Sequence, residues 1–245
     1  MRKIYRPELP NNTKKYLELK QELVLIDKNK GVLDIEKIWK GVRQTKVIQP
    51  ALKLLRQAAG KYERCMYCVD SHGTDIEHFR PKTPHPDYSF QWSNWLLCCT
   101  ECGRIKGSQF PTEQNKPLLI DPTIENPWRY IDFDPDTGNL MARFDLNSND
   151  WFIKGQETVQ VLQFDRREAL SSGYQKTFLR LSRTVQAALE APSIVVDILL
   201  KTLEDEDDHG LLGWCFGVSG QKFTPFRELS MNHPEIWAVC KHKVV

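Results

Sequence analysis

The chain has 245 residues, 40% apolar and 10% aromatic, with 27% charged and a formal net charge of +2. That composition can bury one substantial core or two smaller ones, and it excludes a disordered segment. No apolar run approaches the roughly 20 residues of a membrane span, and the opening "MRKIYRPELPNN" lacks the apolar stretch of a signal peptide, so the expectation is a cytoplasmic protein with no membrane partner.

The first 64 residues carry 16 Lys and Arg against 7 Asp and Glu, whereas the remainder carries 18 against 25. This asymmetry points either to an anionic partner on one side or to solvated basic helix faces. Tyr16, Leu19, Leu23 and Ile26 recur at helical spacing behind Asn12, a candidate cap, predicting an amphipathic helix with these four on its apolar face. Ile35, Ile38, Trp39 and Val42 do the same behind Asp34. Gln49-Pro50 restarts a helix that carries Leu52, Leu54 and Leu55 and can stop at Gly60. Lys40, Arg43, Lys46, Lys53 and Arg56 could form its basic face.

Downstream, "YIDFDPDTGNLMARF" alternates on either side of a turn sequence and predicts a short hairpin. Leu170, Tyr174, Phe178, Leu181, Val185 and Leu189 then mark the core stripe of a long helix ending near Pro192. Ser193 can cap a further helix through Leu203, and "EDEDDHG" predicts a solvated loop. No repeat or low-complexity segment interrupts the chain.

Between these helical regions, Cys65-x-x-Cys68 and Cys99-x-x-Cys102 lie 30 residues apart. Four thiolates offered in pairs in a reducing compartment suit a tetrahedral, structural Zn2+ closed to substrate. Cys98, Cys215 and Cys240 read as small buried apolar residues. Inside this staple lies "DIEHFRPK". Phosphodiester hydrolysis needs a base for water, a holder for a divalent ion and positive charge to offset the transition state; His78, Glu77, and Arg80 with Lys82 are those types. Neighbours in a strand point to opposite faces, so Glu77 and His78 can meet one phosphate only if the strand bends or ends there, and Pro81 makes an end plausible.

The series Cys65-x-x-Cys68, Glu77-His78-Phe79-Arg80-Pro81, Asn94-Trp95-Leu96-Leu97 and Cys99-x-x-Cys102-x-x-x-Lys106-Gly107 resembles the zinc-knuckle version of the HNH endonuclease motif. The resemblance implies a ββα-metal fold in which His78 is the general base, Glu77 a ligand of catalytic Mg2+ or Mn2+, and Asn94 the brace of the loop that positions the base. Arg80, Lys82 and Lys106 would then contact substrate phosphates, with Arg80 also close to the chemistry. More narrowly, "IEHFRPK", "WSNWLL", "KGSQFP", the opening "MRKI" and "VLQFDRREAL" look like the HNH subunit of Septu-type anti-phage systems. That likeness implies an ABC-type ATPase partner, in some systems a retron, and a nucleic-acid substrate, DNA or RNA.

One position departs from the family pattern. Gly103, directly after the last knuckle cysteine, stands where a third metal ligand, Asn or His, is usual. Asp75, two residues from Glu77 and on its face of a strand, is the better substitute ligand, with His72 the other nearby candidate. The expected fold is therefore α+β: a basic N-terminal helical segment (1–62), an HNH ββα-metal unit with a four-cysteine zinc knuckle (63–118), and a hairpin with C-terminal helices (119–245), wrapped into one body. The competing function is a zinc-stapled module that binds nucleic acid or the ATPase and has lost nuclease activity.

Overall fold

A computed structural model describes residues 1–244. The chain divides into two compact units, one of residues 3–67 and 71–125, the other of residues 1–2, 68–70 and 126–245. The sequence predicts one body because no Gly/Ser/Pro-rich linker is present. Each unit nevertheless assembles an apolar core of its own, one around Trp39, Trp95 and Phe90, the other around Phe133, Phe178 and Trp214. Among the described residues no helix is long and apolar enough to cross a membrane.

In the first unit, helices α1 (Asn11–Asn29), α2 (Ile35–Arg43) and α3 (Gln49–Ala58) precede strands β1 (Asp75–His78) and β2 (Trp95–Cys98) and helix α4 (Thr100–Lys106). The strands pair antiparallel with Glu77 opposite Leu96 and His78 opposite Trp95, and a minimal hairpin of β3 (Thr112–Glu113) and β4 (Lys116–Pro117) follows. Asp34 caps α2 by accepting from the Lys37 amide at 3.0 Å. Gly60, at φ +89°, lies just past α3 in the left-handed region where the stop was expected.

Helix α1 forms, but it turns the other way. It buries Thr13, Leu17 and Val24, whereas Leu19, Leu23 and Ile26 are 54%, 43% and 46% exposed. The helix is apolar on two sides, so periodicity alone does not select the core face. The buried side contains polar Gln21, which accepts from the Phe90 amide at 2.8 Å and donates to the Pro86 carbonyl at 3.1 Å.

The second unit opens on the expected hairpin, β5 (Ile131–Phe133) with β6 (Leu140–Ala142), then a smaller one, β7 (Phe144–Asp145) with β8 (Asp150–Trp151). Helices α5 (Ile153–Leu162), α6 (Glu168–Glu190), α7 (Val196–Glu206), α8 (Leu212–Cys215), α9 (Phe226–Asn232) and α10 (Pro234–Val244) follow. Along α6, Leu170, Tyr174, Phe178, Leu181 and Val185 are buried as the spacing predicts, whereas Leu189, the last of the predicted stripe, is only half-buried near the helix end. The segment "EDEDDHG" is not the solvated loop expected from its charge. Asp207 accepts from the Leu211 and Leu212 amides at 2.8 and 3.1 Å, Arg180 pairs with Asp208 at 2.5 Å, and buried His209 sits 2.8 Å from Thr177 Oγ1 and 3.2 Å from Asp70 Oδ1. Partners make burial of these polar groups tolerable.

Candidate functional site

The cysteine pairs meet. The Sγ atoms of Cys65, Cys68, Cys99 and Cys102 all lie within 4.8 Å of one another, and all four residues are buried. A tetrahedral zinc–thiolate centre with Zn–S of about 2.3 Å places its sulfurs about 3.8 Å apart, so four buried thiols this close fit such an ion. Cys99 precedes α4, and its sulfur accepts from the Cys102 amide at 3.4 Å. The cluster thus ties the start of α4 to the 65–68 turn. Cys98, Cys215 and Cys240 are buried as expected, but Cys98 Sγ is also 3.9 Å from Cys65 Sγ.

Strand β1 ends at His78, and all four of its residues, Asp75 to His78, line one cleft, of about 1140 Å³. His78 is only 4% exposed. Its ring is held edge-on by Trp39, with centroids 4.5 Å apart, and Nε2 lies 2.9 Å from the Ser89 carbonyl. A carbonyl can only accept, so Nε2 carries the proton and Nδ1 keeps the lone pair. Burial, reinforced by the charges of Lys82 and Lys106 and opposed by the Ser89 hydrogen bond, holds the imidazole pKa down at about 3 from its ordinary 6.5. The ring is neutral at pH 7.

Glu77 is half-committed. Its Oε1 pairs with Lys106 Nζ at 2.7 Å, and the same ammonium donates to the His78 carbonyl at 2.9 Å. Burial pushes the Glu77 carboxyl pKa up, while Lys106 and then Lys82 pull it down. Oε2 faces Gly103, where a Cβ would lie 3.6 Å away, an ordinary contact. A side chain at that position would therefore emerge beside Glu77, and glycine leaves the space open.

The remaining residues singled out from the sequence are placed as follows. Asn94 is buried and closes the loop from Arg80 to Asn94: Oδ1 accepts from the Arg80 amide at 2.7 Å, and Nδ2 donates to the Arg80 and Tyr88 carbonyls, both at 3.0 Å. Arg80 itself is not in the cleft wall; its guanidinium stacks over Tyr88 and Phe110 at 4.6 and 5.2 Å. Lys106, expected to touch substrate, is fully buried beneath Glu77. Lys82 lines the cleft and pairs with Glu36 at 3.2 Å. Asp75 also lines it, but its Oδ2 is held by Arg43 at 2.8 Å and its Oδ1 accepts from the Ile76 amide. His72 is exposed and lies outside the cleft wall.

Sequence reasoning missed Trp39, the Ser89 carbonyl and the buried state of Lys106. None has a local signal, since each acts through a contact with a residue far along the chain.

Fold and site define an α+β protein with a buried four-cysteine cluster able to bind a metal ion, next to a cleft floored by a neutral histidine and a partly buried carboxylate. No family model matches the chain. It is similar to the Septu protein PtuB of Bacillus thuringiensis, 28% identical over 132 residues that make up 52% of this chain and 46% of that protein. The chain therefore matches about half the length of this relative.

Proposed function

We propose that the chain is a metal-dependent HNH-type endonuclease acting in anti-phage defence. The observation that carries this reading is the 2.9 Å contact of His78 Nε2 with the Ser89 carbonyl, which can only accept and so assigns the proton to Nε2 and leaves the Nδ1 lone pair to take one. A neutral imidazole with a free ring nitrogen is the form a general base requires. The order β1, β2, α4, with Asn94 closing the intervening loop, supports the ββα reading, and likeness to a Septu protein supports the defence role; an ABC-type ATPase partner is what the sequence resemblance implies.

In this reading His78 Nδ1 takes a proton from the water that attacks phosphorus. Trp39 and the Ser89 carbonyl keep the ring from turning away. Glu77 Oε2, left free by Lys106, is the hard oxygen ligand offered to Mg2+ or Mn2+. Magnesium sites commonly use one or two carboxylates and complete the shell with phosphate and water, so a single carboxylate oxygen fits that pattern. The bound divalent ion would stabilise charge on the phosphate and on the departing 3′-oxygen. Zinc on the four cysteines would be structural, with all positions taken by sulfur.

A second reading has specific support: Gly103 offers no ligand, Glu77 Oε1 is held by Lys106, and Asp75 is held by Arg43. It makes the chain a zinc-stapled module that binds nucleic acid or the ATPase without cutting. The test is cleavage of supercoiled plasmid and of total RNA with Mg2+ or Mn2+, comparing wild type with folded, zinc-loaded His78→Ala. The nuclease reading expects a rate lower by about 10² to 10⁴ in the variant. Equal cutting by both proteins would sink the role of His78. Binding without cutting by wild type, alone and with the ATPase, would favour the second reading.

A further inference from the structure

The cleft that holds His78 and Glu77 has α2 as one wall, and α2 is clipped to the rest of the first unit by salt bridges. Arg43 pairs with Asp75 at 2.8 Å, Glu36 pairs with Lys82 at 3.2 Å, and Glu36 also accepts from Thr83 at 2.9 Å. The cleft wall carries four carboxylates, from Asp34, Glu36, Asp75 and Glu77. Three of these face a cation, Glu77 through Lys106; Asp34 accepts from the Lys37 amide as the helix cap and keeps its charge. The lining cations Arg43 and Lys82 are thereby compensated. Lys37 and Lys40 line the same cleft, are exposed, and have no carboxylate within ion-pair distance among the described residues.

Residues three apart share a helix face, so Lys37, Lys40 and Arg43 form one row, rising about 4.5 Å per step. Arg43 at one end of the row is tied to Asp75, and Glu36, the residue before Lys37, is tied to Lys82, which leaves Lys37 and Lys40 as the row's cations without an ion-pair partner. Lys37 and Lys40 line the same cleft as Glu77 and His78, so a strand held on this row would share that cleft with the groups expected to cut it.

We propose that Lys37 and Lys40 are the phosphate seat of the cleft, holding the sugar–phosphate backbone of a nucleic-acid strand. This rests on the nuclease reading for its purpose, but binding can be tested apart from cutting. Contacts of this kind position a strand without reading its bases. Each should add to the salt dependence of binding, with a slope of about 0.9 per phosphate on duplex and about 0.7 on single strands.

The experiment uses the full chain, zinc-loaded, in a His78→Ala background, and labelled 20-nucleotide DNA as single strand and as duplex, read by fluorescence anisotropy from 50 to 200 mM salt. Lys37→Ala/Lys40→Ala should weaken binding roughly tenfold at low salt and lower the slope by about 1.4 on single strand or about 1.8 on duplex. The control Lys15→Ala/Lys30→Ala removes two exposed charges of α1 and its C-terminal cap outside the cleft and should change the slope much less. Lys15, Lys37 and Lys40 sit on exposed helix positions where alanine is well tolerated, Lys30 is the exposed C-cap of α1, and equal melting temperatures verify folding.

Unchanged affinity and slope, equal weakening by the control, or no binding by the parent would overturn the proposal. If wild type cuts in a His78-dependent manner while the lysine variant binds normally, the seat fails and the nuclease reading stands. If the lysine variant loses binding but wild type never cuts, the seat stands and the nuclease reading fails.

Discussion

Helix α6 and the β1–β2–α4 segment bury different kinds of group. On α6 most of the buried surface is apolar, from Leu170, Phe178, Leu181, Val185 and the Tyr174 ring at helical spacing, and the polar groups buried beside it, on Ser171, Thr177 and Tyr174, each have a hydrogen-bond partner. Around β1 and α4 the buried groups include His78, Asn94 and Lys106, each tied to a specific distant atom. An apolar side chain is satisfied by contact of any direction, whereas a buried charge is tolerated only with its partner in place. The α6 core should therefore yield gradually to substitution, and the site should fail when a single partner is removed.

The largest effect expected within a single substitution is at Lys106. Lys106→Met leaves the Glu77 carboxylate buried without its cation, and breaking a buried pair in this way costs about 3–5 kcal/mol. Adding Glu77→Gln should recover part of that loss. Urea unfolding of the two single variants and the double variant measures it, and additive losses would show that the pair is not coupled. Leu181→Ala, by comparison, removes a fully buried apolar side chain and should cost about 2–5 kcal/mol, with Leu181→Met costing less than about 1.5 kcal/mol. Apolar replacement is tolerated on α6 and not at Lys106; equal tolerance at both would break the contrast.

The smallest effect is a slope with pH. Unfolded His78 binds a proton below about 6.5, but the folded ring does so only near 3. Between those values the unfolded chain holds more protons, so His78 lowers stability as pH falls, by about 1.4 kcal/mol per unit once well below 6.5. His78→Gln should remove this slope, read as the difference between the two proteins' urea midpoints from pH 7 to pH 5. Parallel curves would mean that the folded ring titrates normally.

Much of the frame was legible from local pattern. The Asp34 cap, the stop at Gly60, the 131–142 hairpin and the α6 stripe follow from residue spacing and turn chemistry. The convergence of Cys65, Cys68, Cys99 and Cys102 was legible too, because thiols in close pairs have few other uses in a reduced chain. Helix α1 was legible as a helix and not in its orientation: with leucines on two sides, the choice fell to Gln21 meeting Phe90 and Pro86. "EDEDDHG" misled for a related reason, since charge predicts solvent only until a partner such as Arg180 is near.

By itself, then, the sequence determined which segments are helical, which cysteines gather, and that an acidic residue and a histidine stand together at a strand end. These depend on neighbours within a few residues, or on a residue type with one dominant use. The tertiary structure alone decided the state of those groups: that His78 is buried and oriented by Ser89 and Trp39, that Lys106 lies under Glu77 instead of facing substrate, and that α2 walls the cleft with Lys37 and Lys40 uncompensated. Protonation, orientation and free charge are set by desolvation and by partners brought close only on folding, and no local spacing encodes them.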